Sequence, residues 1–115
     1  MTRPIALIAA ASLMALAGMP RSASASDQAA LIDSIQVNTD GRIMVWLVGT
    51  RASKPACATL DYWFIADENS NAGKAQLAVL LAAHNAGRPV HIFGTGTCVR
   101  WIDGENIGGI RELGG

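Results

Sequence analysis

Only one stretch of this chain repeats its apolar residues with the 3.6-residue period of a helix, and it stands among segments that read as strands. Leu77, Leu80, Leu81 and His84 recur at i, i+3, i+4 and i+7, and alanines at 75, 78, 82 and 83 permit close approach to a sheet. The spacing predicts a helix over 72–86. Ahead of it, Ser70 or Asn71 can serve as the N-cap, accepting from the free backbone N–H groups of the first turn. Gly87 is the expected C′ residue, and Pro89 prevents continuation.

The flanking segments alternate with period two or are rich in β-branched and aromatic residues. Ile35 and Val37 alternate with Ser34, Gln36 and Asn38, and Asp40-Gly41 predicts a hairpin turn. The return strand, Arg42 to Val48, is apolar from Ile43 onward, so both of its faces need cover. One face would meet the core, and the other a helix, a loop or a second subunit. Gly49 to Thr59 reads as a loop, Tyr62 to Ile65 as a third strand and Val90 to Phe93 as a fourth. Gly94-Thr95-Gly96-Thr97 turns or bulges into Cys98 and the stretch Val99 to Ile102, and a last strand runs from Ile107 to Leu113. Residues 26–33 form a lead-in with a short helical turn through Ala29, Ala30, Leu31 and Ile32. The order β-β-β-α-β-β predicts a mainly β fold with one helix, a five-stranded OB-like Greek-key barrel. An α+β layer, with the helix on one face of an antiparallel sheet, satisfies the same order.

The first 25 residues of the 115 read as a signal peptide: Arg3, the apolar run Ile5–Gly18, a break at Pro20, and the A-x-A cleavage signature Ala23-Ser24-Ala25. The run is shorter than the roughly 20 residues that a membrane span requires. Cleavage after Ala25 leaves a single domain over 26–115, bound for the periplasm or the exterior, with no membrane attachment. That domain carries seven basic and nine acidic residues, a formal charge of −2 with His neutral. Its basic residues stand singly, which argues against nucleic acid. Small exported domains often need a covalent staple, and Cys57 and Cys98 allow only one internal pairing. A disulfide is expected, since the C-x-x-C spacing of a redox pair is absent.

Candidate chemistry is sparse. His84 and His91 have no His or Cys cluster at metal-ligand spacing around them, so structural roles and no metal are expected. Asp67 to Asn71 imitates the start of a calcium loop, but the required Gly and Glu are replaced by Ala72 and Ala78. Gly94-Thr95-Gly96-Thr97 lacks the helix and lysine of a phosphate cradle. Asp61, Asp103 and Glu105 are the carboxylates available for acid–base work, but nothing pairs them, and no G-x-S-x-G motif occurs. Neither an enzyme nor a cofactor is expected. Trp46 and Trp63 lie inside strand runs and read as packing. Trp101 differs, because Arg100, Asp103, Glu105 and Asn106 surround it with hydrogen-bonding groups, although a Trp that caps an open barrel end satisfies the same pattern. Arg100, Trp101, Asp103 and Glu105 therefore form the candidate binding set, suited to a glycan or a protein surface.

With its early hairpin, a Cys before strand three, an Ala/Leu-rich helix, and then His91-Ile92-Phe93-Gly94-Thr95-Gly96-Thr97-Cys98 continuing to Trp101, Asp103 and Glu105, the chain resembles small secreted bacterial OB-fold proteins. Among these it is distantly similar to the B subunits of AB5-type toxins of the subtilase-cytotoxin kind. The likeness is architectural and covers Ile35 to Leu113; no receptor-binding residue of those subunits maps onto a position here. It implies a non-catalytic binding module, with homo-oligomers open to it. The alternative is a periplasmic structural or inhibitory protein that docks to one protein partner.

Overall fold

The computed structural model describes residues 25–114; the expected signal peptide, apart from Ala25, lies outside the described residues. In chain order the elements are β1 (Asp27–Ala30), β2 (Ile32–Val37), β3 (Ile43–Leu47), β4 (Trp63–Ile65), α1 (Asn71–Ala86), β5 (Val90–Gly94) and β6 (Glu105–Glu112). No helix among the described residues is long and apolar enough to cross a membrane.

All six strands form one mixed sheet in the order β1-β5-β6-β4-β3-β2. Its ladders are antiparallel except between β4 and β6, which run parallel with Trp63 opposite Glu105 and Ile65 opposite Ile107. The end strands β1 and β2 are separated in sequence by Leu31 alone, so one bent stretch of chain lies along β5 with its first half and along β3 with its second. The sheet is therefore coiled but not closed.

Among the described residues the fold is mainly β with a single helix, as expected, but the strand count is corrected from five to six. The extra strand is β1, where a helical turn was expected through Ala29 to Ile32. Pairing of Asp27–Ala30 with Phe93–Val90 satisfies backbone groups that an isolated turn would leave to water, and it overrides the alanine preference for helix. Val99 to Ile102 is loop, its first N–H taken by the Asn106 side chain at 2.6 Å.

One face of the sheet carries the core. Ile43, Val45 and Leu47 from β3 join Trp63, Ile65, Val90, Ile92 and Ile107 beneath Leu80 and Ala83 of α1. The buried stripe of the helix is Gly73, Leu80 and Ala83, with Leu77 packed at its margin. Leu81 is 45% exposed and His84 is exposed, which corrects the predicted face. Ser70 is the N-cap, its Oγ accepting from Gly73 N at 2.9 Å, and Gly87 closes the other end in the left-handed region. The opposite face of β3 and β4 is covered by the loops 49–61 and 95–104, which the Cys57–Cys98 disulfide ties together.

Candidate functional site

Along β3 the side chains alternate. Val45 and Leu47 enter the core, while Met44 and Trp46 point to the loop-covered face and stay partly exposed. There Trp46 stacks on Tyr62 with ring centroids 5.4 Å apart, and Tyr62 meets Phe64 at 5.2 Å in a tilted arrangement. The two sequence-adjacent strands thus build an aromatic wall. It borders an open groove of about 670 Å³ lined also by Gln36, Met44, Lys54, Thr59, Leu60 and Asp61. Lys54 Nζ lies 2.9 Å from Asp61 Oδ1 on the rim, and that hydrogen bond holds the Asp61 carboxyl below its ordinary range.

The loop after β5 reaches this wall through Asp103, which accepts from the Tyr62 hydroxyl. Burial, then the Asp103 carboxylate, push the Tyr62 phenol up to about 12. Trp101 is 40% exposed, and the Arg42 guanidinium lies over its ring at 3.9 Å from the centroid. Arg42 in turn pairs with Asp40 of the hairpin turn at 2.6 Å. Arg100 grips Glu68 with two parallel bonds of 2.9 and 2.8 Å and also reaches the Asp40 carbonyl at 3.4 Å. The fork holds the Glu68 carboxyl below its usual value. Its work is to pin the loop to the hairpin and to the turn before α1.

The four residues singled out from the sequence therefore separate. Asp103 holds the hydroxyl of Tyr62 behind the groove, Trp101 lies against Arg42 outside the groove lining, Arg100 positions their loop, and Glu105 faces inward. The Glu105 side chain is fully buried and paired with Arg51, also fully buried. Its carboxylate accepts from Gly96 N at 2.8 Å, from Ser26 N at 3.3 Å and from the Ser26 hydroxyl, while Arg51 lies 3.7 Å over the Trp63 ring. The two-glycine motif turns at Gly96, whose φ is 82°, while the β5–β6 register shift beside it sets Phe93 opposite Gly109 and Gly94 opposite Ile107, so that the extra residue is Gly108 of β6. The motif cradles an anion after all, the protein's own carboxylate.

By its place in a strand run Trp46 reads as core or interface packing, and nothing local in the sequence marks Gln36, Lys54 or Tyr62 as site residues. One signal was available for Trp46, since it shares the period-two face of Met44 and not that of Val45 and Leu47. Lys54 and Asp61 lie in loop, where no period operates. Among the described residues, no three of His, Cys, Asp and Glu come together in a group that could hold a metal. His91 instead pairs with Asp27 at 2.6 Å and stacks on Phe93. Comparison with protein-family models, with curated proteins and with solved structures finds no match to this chain.

Proposed function

We propose that this protein is an exported, non-catalytic binding module of the OB type that recognises a glycan in the Trp46–Tyr62 groove. The stacked aromatic wall carries the reading. The partly exposed Trp46 ring, backed by the buried Tyr62 ring and flanked by Gln36, Lys54 and Asp61, offers a sugar ring both an apolar face to rest on and groups to bond its hydroxyls. Support for the fold assignment comes from the bent β1–β2 stretch and from the helix between β4 and β5. OB domains bind oligosaccharides on the equivalent strands and on the loops at their ends. Here those are β3 and β4, the turn at Asp40-Gly41 and the loop carrying Trp101. Export is supported by the signal-like N-terminal segment and by a disulfide, a bond that persists in oxidising compartments.

A glycan array probed with the oxidised protein tests this directly. Wild type is expected to bind at least one class of saccharide. Trp46→Ala should lose about tenfold or more in affinity, matching the ~1.4 kcal/mol that a factor of ten represents. Trp101→Ala should lose less, because Trp101 is not among the residues that line the groove. No binding by wild type at high protein concentration overturns the proposal.

One observation favours the alternative of a protein partner. Val99 and Ile102, beside Trp101, are 77% and 79% exposed on a loop held in place by the disulfide and by Arg100. Apolar side chains presented on a fixed loop suit a protein surface. Affinity capture from periplasmic extract, repeated with Ile102→Asp, separates the two readings: a partner lost with Ile102→Asp and retained with Trp46→Ala favours docking.

A further inference from the structure

Ser26 is the residue that follows the Ala23-Ser24-Ala25 signature, and it is also where the buried Arg51–Glu105 pair meets the N-terminal strand. From this coincidence we infer that processing completes the core: the α-ammonium released at Ser26 docks on Glu105 and locks β1 in place. The inference rests on the expected cleavage site and is independent of what the groove binds.

The chain passes from surface to interior between two neighbours, for Ala25 is exposed and Ser26 is 6% exposed. Ser26 is held on both sides. Its N–H donates to Glu105 Oε2 at 3.3 Å, its hydroxyl donates to Oε1, and its carbonyl accepts from Gly94 N at 2.7 Å. The carboxylate is itself fixed by the Gly96 N–H and by Arg51. Gly94 leaves room for it, because a Cβ there would overlap Glu105. The site is therefore in place for a nitrogen at this one position in the chain.

Before cleavage that nitrogen is a neutral amide with a single proton. An export peptidase adds the oxygen of water to the Ala25 carbonyl carbon and breaks the C–N bond. Ala25 departs as a carboxylate, and the Ser26 nitrogen takes up both protons of the water to become an ammonium. A hydrogen bond between ionised partners is roughly twice as strong as one between neutral groups. Glu105 then serves two cations, Arg51 on Oε1 and the ammonium on Oε2. Departure of exposed Ala25 opens the ammonium to water on its outer side, so its charge is not wholly buried. Nearby, the Asp27 carboxylate is engaged by His91.

The test uses the exported, oxidised protein. Mass spectrometry should find Ser26 as its first residue; an N-terminus elsewhere overturns the inference. A form that retains Ala25, or a Ser26 form acetylated on its α-nitrogen, should melt about 4 °C or more below the natural form, the scale of a single worthwhile interaction in a domain this size. Equal melting temperatures overturn it. In Glu105→Gln the difference between the Ser26 and Ala25 forms should vanish, and its persistence shows that Glu105 is not the partner. Should that variant fail to fold, carbamoylation of wild type by cyanate decides. The α-amine should react about tenfold more slowly in the folded protein than in the unfolded chain, since a carboxylate partner favours the unreactive ammonium. Equal rates would end the idea.

Discussion

Tyr62 is the single tyrosine of the chain, so its ionisation can be followed without interference. Its hydroxyl donates to Asp103, and burial together with that carboxylate raises the phenol from 10.0 to about 12. A raised value in the folded state means that the neutral phenol is preferred there. Its contribution to stability is complete below about pH 10 and is lost as pH climbs towards 12. Ultraviolet titration should accordingly show little tyrosinate at pH 10 in the native protein and about half ionisation at pH 10 in urea. Native titration at the ordinary value would mean that the Tyr62–Asp103 bond, and with it the seat of the Trp101 loop, does not form.

At the scale of elements, β5 ends where two requirements meet. Gly94 must pass the Glu105 carboxylate and the Trp63 ring, and an added Cβ would overlap the first and lie 2.8 Å from the second. Neither neighbour can yield, because Glu105 is held by Gly96 and Arg51, and Trp63 is wholly buried between Arg51 and the core. Gly94→Ala should therefore cost about 1–3 kcal/mol or more, the range for overpacking a filled interior. Gly109, in β6, has nothing within 4 Å of an added Cβ, and Gly109→Ala should stay within about 0.5 kcal/mol. Urea denaturation of both variants measures the contrast. Equal losses would indicate a general cost of replacing glycine in these strands, and no cradle around Glu105.

At the largest scale, the described residues form a small coiled sheet with one helix, and its loop-covered face relies on a covalent tie. Cys57 and Cys98 close a loop of 41 residues, with Cα atoms 6.1 Å apart. Chain entropy assigns such a closure about 4 kcal/mol, a large share of the ~5–15 kcal/mol stability of a typical domain. Cys57→Ser combined with Cys98→Ser should lose a stability approaching that value in urea denaturation. Unchanged stability would show that the tie restrains neither the unfolded chain nor the loops that frame the groove.

Local signals carried the elements well. Asp40-Gly41 makes its turn, with Gly41 at φ 92°; Ser70 and Gly87 bound the helix; the cysteines pair. Each of these depends on residues close in sequence, or on a choice with one solution, and so could be read from the chain by itself. The groove could not. Trp46 and Tyr62 meet across β3 and β4, Lys54 and Asp61 arrive on a loop, and Glu105 turns inward because Arg51 and Ser26 wait there. Even the strand status of Asp27–Ala30 rests on β5, whose paired residues lie 60 to 66 positions away. Periodicity records which faces are apolar; only the coiling of the sheet decides which polar and aromatic side chains share a surface, and which carboxylate is shut inside.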